Sequence, residues 1–93
     1  MGLIFEWDPA QAKANRPKHR VSFEEAATVL ADPLTLTIPD PLHSGTEQRF
    51  VTMGTSYRRR MLVVVHVDRG DRIRIISARK ATRRERQVYE ESE

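Results

Sequence analysis

The chain has no cysteine among its 93 residues, so a disulfide framework and a thiolate-bound zinc site are both excluded. That suits a reducing compartment. Histidine is scarce: His19, His43 and His66 are the three, and no two stand at metal-ligand spacing. No metal or other cofactor is therefore expected. Aromatic residues make up only 6% of the chain, and no aromatic RNA-recognition signature is present. The longest apolar run, Met61 to Val65, is too short to span a bilayer. Met1 to Trp7 has no basic stretch followed by a long apolar one, so no signal peptide is expected. Helix-turn-helix patterns, repeats and low-complexity segments are also missing. These absences leave the expectation of a soluble, cytoplasmic protein that needs no membrane. Its 39% apolar residues suffice for one modest core, a single domain over residues 1–93.

What is present is charge, unevenly placed. Residues 1–46 hold four basic and six acidic side chains, a balance of −2; residues 47–93 hold twelve and seven, a balance of +5. Thirteen of the sixteen basic residues are arginine. Lysine would solvate a surface equally well, whereas arginine grips phosphate with a planar fork and keeps its charge. The bias therefore favours an anionic partner over a merely soluble face.

Periodicity orders the chain as β-α-α-β-β-β-β-α. Leu3 to Trp7 reads as a strand with Leu3, Phe5 and Trp7 on one face, which places Trp7 in the core rather than on a base. Asp8 is a good N-cap and Pro9 suits the first helical position, so a helix follows to about Arg16, where Pro17 ends or kinks it. Ser22 and Glu25 form a capping box that opens a second helix, stopped at Asp32-Pro33. Leu34 to Ile38 alternates as a strand, and Pro39 to Thr46 reads as a loop. Strands are expected over Arg49 to Thr55, Met61 to Val67 (buried on both faces) and Arg72 to Ala78 (Ile73 and Ile75 inward, Arg72 and Arg74 outward). Ser56 to Arg60 is a basic turn, and Asp68 to Asp71 a hairpin turn. Thr82 and Glu85 form a second capping box, opening a last helix to about Glu91. Short turns between consecutive strands predict an antiparallel meander with helices covering one face, an α+β sandwich.

Several segments in this order are familiar. Phe5-Glu6-Trp7-Asp8 precedes Lys13, Asn15 and Lys18-His19, then Val21-Ser22-Phe23-Glu24-Glu25-Ala26. Arg49-Phe50-Val51, the strand Leu62 to Val65, Arg72 to Arg79, and Ala81 to Arg86 with Tyr89 follow. From about Leu3 to Glu90 the chain resembles the BrnT family of type II toxins. The resemblance implies a RelE-like fold, an antiparallel sheet flanked by helices, and an RNA-cleaving activity that slows growth. It also implies neutralisation by a cognate antitoxin, usually a ribbon-helix-helix DNA-binding protein, so that DNA is met only through the antitoxin. Family members often carry glycine after the Lys-His pair, where this chain has Arg20, and a positive φ there is harder for arginine.

RNA can be cut without metal when its 2′-hydroxyl attacks the adjacent phosphate. That requires a base, an acid and cations on the phosphorane. Arg79, expected where the fifth strand hands over to the last helix, is the first candidate for the phosphate, beside a purely structural reading as a sheet-edge arginine. Lys80 and Arg83 flank it as backbone contacts; Arg83 opposes the helix dipole at an end whose amides favour an anion. Arg49 is a second phosphate candidate and Glu47 a candidate base, against a solvated loop role. Glu85 is expected to cap Thr82. His19 is the family-matched histidine, for proton transfer or packing in the helix turn. By alternation His66 could face away from the core and serve as an acid or base, although a satisfied structural role is favoured. His43 is expected at the surface. Tyr57 in the basic turn Tyr57-Arg58-Arg59-Arg60 could stack on a base, and the turn should attract RNA or an acidic antitoxin segment. The leading expectation is thus a metal-independent endoribonuclease toxin. The alternatives are a non-catalytic basic nucleic-acid-binding or interaction module, and a purely structural antitoxin partner.

Overall fold

Five strands form one sheet in the order β1-β5-β4-β3-β2 in the computed structural model, which describes residues 3–40, 45 and 47–91. The elements are β1 (Ile4–Trp7), α1 (Pro9–His19), α2 (Phe23–Leu30), β2 (Leu36–Pro39), β3 (Arg49–Thr55), β4 (Met61–Arg69), β5 (Arg72–Lys80) and α3 (Arg83–Glu91). The order of elements is the expected one, and β2 to β5 do form an antiparallel meander. The sheet is mixed, however, because β1 pairs in parallel with β5. The two helices after β1 carry the chain across the sheet to its far edge at β2. The meander then returns strand by strand until β5 lies beside β1. A parallel neighbour needs such a long crossover, and no local signal in Leu3 to Trp7 announces it.

α1 starts as expected: the Asp8 carboxylate accepts from the Ala10 N–H at 2.8 Å, with Pro9 in the first turn. It does not stop at Arg16. Pro17 removes only the bond its own N–H would have made to Lys13, and the helix runs on to His19. Arg20 then closes it in the left-handed region, with φ 58°, its N–H on the Arg16 carbonyl at 2.7 Å. Glycine would adopt that conformation freely; arginine does so at a cost of about 1 kcal/mol. The Arg20 carbonyl is held by Arg60 Nη2 at 3.0 Å, so tertiary structure supplies what the residue type lacks.

α2 opens with Ser22 Oγ accepting the Glu25 N–H at 3.0 Å, half of the expected capping box. Glu25 does not return the bond. Its carboxylate turns inward, with 2% of the side chain exposed, and takes Ser56 Oγ–H at 2.7 Å and Arg60 Nε–H at 2.9 Å, with Arg60 Nη2 on the other oxygen. β2 lies two residues later than expected at its start and takes in Pro39, which an edge strand tolerates because its missing N–H has no partner to serve. His43 and most of the loop around it lie outside the described residues.

The core fills the space between α1–α2 and one face of the sheet. Val21, Phe23, Ala26 and Val29 meet Leu62, Val64, Ile75 and Ala78, and the Trp7 ring stands edge-on to Phe23 at 5.9 Å. Trp7 is thus a core residue, as expected. Gly54 lets α2 approach β3: a Cβ there would lie 2.7 Å from Thr35 Cγ2 and 3.2 Å from Val29. Asn15 locks α1 onto β5, giving Nδ2–H bonds of 2.9 Å to the Val21 and Ala78 carbonyls and accepting the Ala78 N–H at 3.2 Å. A register shift between Val65 and His66 puts an extra residue, Ile76, into β5, so Ile75 and Ala78 both face the helices. Arg79 therefore points from the opposite face, and α3 is tied to it there through Glu85, so the helices do not all cover one face as expected. No helix among the described residues is long and apolar enough to cross a membrane.

Removing the buried partner of Arg60 should be costly. Glu25→Ala is expected to lose about 3 kcal/mol in urea unfolding. Arg60 is the main cause that holds the Glu25 carboxyl below its usual 4.5. A depressed folded value adds stability that is complete above 4.5 and fades as pH falls through the folded value. Wild type should therefore lose stability on acidification in that window, and Glu25→Gln should show a shallower loss.

Candidate functional site

The strand register sorts the basic residues into two groups. At one end of the sheet, the β3–β4 turn, the β5 terminus and the α1–α2 junction meet. Ser56 N–H bonds the Arg60 carbonyl at 2.9 Å to close the turn, Ala81 N–H reaches the Met61 carbonyl at 2.9 Å, and Arg60 spans to Arg20. His19, Tyr57, Arg58, Arg59, Arg79, Lys80 and Arg83 all belong to this end. At the other end, Arg49 and Arg74 flank Val67 in one row across β3, β4 and β5, beside Arg69 and Glu47. Along β4 the rows of Val63, opposite Arg79, and of Val67 are about 13 Å apart at ~3.3 Å per residue. Arg79 and Arg49 thus share a sheet face but not a single centre.

Arg79 is gripped by Glu85. Nη1 and Nη2 donate to its two carboxylate oxygens at 2.7 and 2.8 Å, and Nη1 also reaches the Lys80 carbonyl at 3.3 Å. A guanidinium has five N–H donors, so Nε–H and one Nη2–H stay open among the described residues. Glu85 does cap Thr82, as expected, through bonds of 2.8 and 3.1 Å in both directions. The Arg79 fork, with the Thr82 amide in support, holds the Glu85 carboxyl down at about 2. Arg79 is therefore both the fastening of α3 and an oriented cation. Arg79 and Lys80 still lie within β5, one step before the handover expected for them. Lys80 pairs with Leu62 on the helix side and is exposed. Arg83 opens α3, exposed to solvent.

The turn divides its charges. Tyr57 is 71% exposed and its N–H bonds Thr28 Oγ1 at 3.0 Å, so its ring is available for stacking. Arg58 approaches Glu25 at 3.9 Å, while Arg59 is exposed in a left-handed conformation at φ 62°. Arg60, expected to touch RNA, is instead turned inward onto Glu25 and the Arg20 carbonyl, a structural role. His19 ends α1 half-buried in the helical layer, near the turn but across the sheet from Arg49 and Glu47.

His66 does not face away from the core, as alternation suggested it could. It is 3% exposed, with Nε2 on Thr52 Oγ1 at 2.7 Å, Nδ1 on Asp68 Oδ1 at 2.8 Å, and Phe50 stacked at 5.9 Å. Both ring nitrogens are satisfied, which makes it structural. Glu47, the candidate base, forks onto Arg69 at 2.5 and 2.7 Å. Arg69, with added charge from Arg74, holds the Glu47 carboxyl below the usual carboxylate range, which weakens it as a base. Sequence reasoning placed Arg74 outward but missed its alignment with Arg49, and it missed the Glu25–Ser56–Arg60 cluster. Only cross-strand register reveals either. Among the described residues no three His, Asp or Glu side chains converge as a metal site.

The Glu85 carboxyl sits at about 2 in the fold against 4.5 ordinarily, so the Arg79–Glu85 pair contributes fully above pH 4.5 and is lost as pH falls toward 2. Protection factors of α3 amides, which correct exchange for its intrinsic pH dependence, should fall across that window in wild type. In Glu85→Gln, α3 protection should be low already at neutral pH and change little further on acidification.

No curated protein sequence matches the chain significantly. Its fold matches the 1.1 Å crystal structure of the Brucella abortus ribonuclease toxin, BrnT, with a TM-score of 0.65 at 21% identity, over 89% of this chain and 99% of that one. Residues 7–85 match the family model described as the ribonuclease toxin, BrnT, of type II toxin-antitoxin systems. With the match running from Trp7 on β1 to the Glu85 that clasps Arg79, this chain belongs to the BrnT family of ribonuclease toxins.

Proposed function

We propose that the chain is an endoribonuclease that cuts RNA without metal. The observation that carries the reading is the family match over residues 7–85 to ribonuclease toxins, in a chain with one of its two groups of basic residues at the Arg79 end of the sheet. The 2′-hydroxyl loses its proton to a base and its oxygen bonds the adjacent phosphorus. The bond from phosphorus to the 5′-oxygen breaks, and that oxygen takes a proton. The products are a 2′,3′-cyclic phosphate and a 5′-hydroxyl. Arg79, held by Glu85 with two N–H groups open, steadies the charge on the phosphorane. Lys80, on the helix side, and His19, in the helical layer, lie at the same sheet end but across the sheet from the Arg79 fork. We assign them to RNA that bends around that end, Lys80 as a contact and His19 in proton transfer. Arg83, Arg58 and Arg59 hold the RNA backbone, and Tyr57 offers an exposed ring for a base. Arg49 and Glu47 stand too far along the sheet to share this centre, so they contact substrate instead.

A type II family implies an antitoxin partner. We take it to be a cognate ribbon-helix-helix protein that neutralises the toxin and links it to DNA, acting in the cytoplasm. The exposed, arginine-rich turn at residues 57–59 suits an acidic antitoxin segment.

Purified, antitoxin-free protein incubated with labelled RNA in excess EDTA should give multiple-turnover cleavage with 2′,3′-cyclic ends. Arg79→Ala should lower the rate by roughly 10²–10³. Intact RNA, both naked and on ribosomes, with a well-folded sample would sink the proposal; RNA protected without turnover would mark a binding module.

A further inference from the structure

We infer that the cleft at the Arg49–Arg74 end is a second nucleotide subsite, which takes a phosphodiester of single-stranded RNA and its base away from the bond being cut. This assignment of RNA rests on the ribonuclease reading above; the cleft's chemistry does not. The cleft has a volume of about 310 Å³ and is lined by Gly45, Glu47, Arg49, Val67, Arg69, Arg74 and Ile76. That is the lower end of the ~300–1,000 Å³ range of small-ligand sites, enough for a nucleotide unit and too small for a duplex.

Register explains why two arginines converge there. Arg49 pairs with Val67, and Val67 with Arg74, so both arginines flank one apolar residue of the central strand on the same face. Two strand spacings of about 4.8 Å put their Cα atoms roughly 10 Å apart. Two guanidinium groups that flank Val67 on one face are both within reach of a phosphate placed over it. Arg74 is half-buried yet makes no hydrogen bond or ion pair among the described residues, and its β1 neighbour Glu6 forms no salt bridge with it. Its charge acts on the Glu47 carboxylate, which Arg69 already forks, so among the described residues the Arg74 N–H donors stay open to an incoming anion.

The rest of the cleft suits a base. Val67, 4% exposed, and Ile76 provide apolar lining between the charged groups. Arg69 holds the Glu47 carboxylate by both oxygens, and each oxygen keeps a lone pair for exocyclic or ring N–H donors. Three arginines and one glutamate line the cleft and Arg69 alone forks that glutamate, so a bound phosphodiester does not have to displace the Glu47 anion. Arg79 and this cleft lie on the same face, so one extended strand can occupy both.

The test is fluorescence anisotropy with an uncleavable 2′-O-methyl oligoribonucleotide across a salt series, alongside cleavage kinetics. Arg74→Ala should bind about tenfold more weakly, and the slope of log affinity against log salt should fall by about 0.7, the value of one single-strand phosphate contact. In cleavage the loss should fall on KM rather than kcat. Arg74→Lys, which preserves the charge and guards against misfolding, should keep the wild-type salt slope and only part of the affinity. Unchanged affinity and slope in both variants, with cleavage intact, would overturn the subsite and leave the ribonuclease reading standing. Arg74-dependent oligonucleotide binding by a protein that cuts no RNA would support the subsite while the ribonuclease reading fails. Weakened binding of a polyglutamate peptide without any effect on the oligonucleotide would overturn it in favour of an acidic protein partner.

Discussion

The Glu25 carboxylate is almost sealed from solvent at the junction of α2, the β3–β4 turn and the end of α1, and the basic end of the molecule depends on it. A buried carboxylate without a partner would cost several kcal/mol. Here it receives the Arg60 fork and the Ser56 hydroxyl, while Arg60 reaches on to the Arg20 carbonyl. One ion pair thereby shapes the turn that displays Tyr57, Arg58 and Arg59, and it stabilises the left-handed Arg20 that ends α1 beside His19. An arginine that sequence alone assigns to RNA is instead the post on which Tyr57, Arg58 and Arg59 are mounted.

The two faces of the sheet divide their work by chemistry. One is apolar and covered by α1 and α2, with Asn15 tying helix to strand. The other carries Arg49, Arg69, Arg74 and Arg79, which would repel one another without acidic partners. Glu85 and Glu47 each fork onto one arginine, orient it and moderate its charge. An arginine held this way loses less rotamer freedom when it meets a phosphate than one moving in solvent. Fastening Arg79 to α3 also makes the last helix part of the candidate site.

Local signals made most elements legible. Asp8-Pro9, Ser22 and Thr82 cap where expected because capping is decided within four residues of chain. The apolar run Met61 to Val67 marked a strand buried on both faces, and the alternation that begins at Arg72 marked its neighbour, because successive residues on a pleat point to opposite faces. Pro17 misled, since a proline in the last turn removes a single bond and leaves the helix intact. The start of β2 was misplaced because Leu34 and Thr35 alternate like strand residues although the ladder with β3 begins only at Leu36, and Leu34 is 75% exposed.

By itself, the sequence determined the element order, the apolar core positions, the excess of arginine in the second half and, through its ordered motifs, the family. Those properties are written in residue types and short spacings. Tertiary structure alone decided that β1 runs parallel to β5, that the Glu25 carboxylate turns to Arg60 and not back to the cap, and that His66 points inward. It alone set Arg74 level with Arg49 across Val67 while keeping Arg79 two rows away. Each of these depends on which residues of distant segments end up as neighbours. Strand pairing and burial set that for the whole chain at once, and no local stretch contains it.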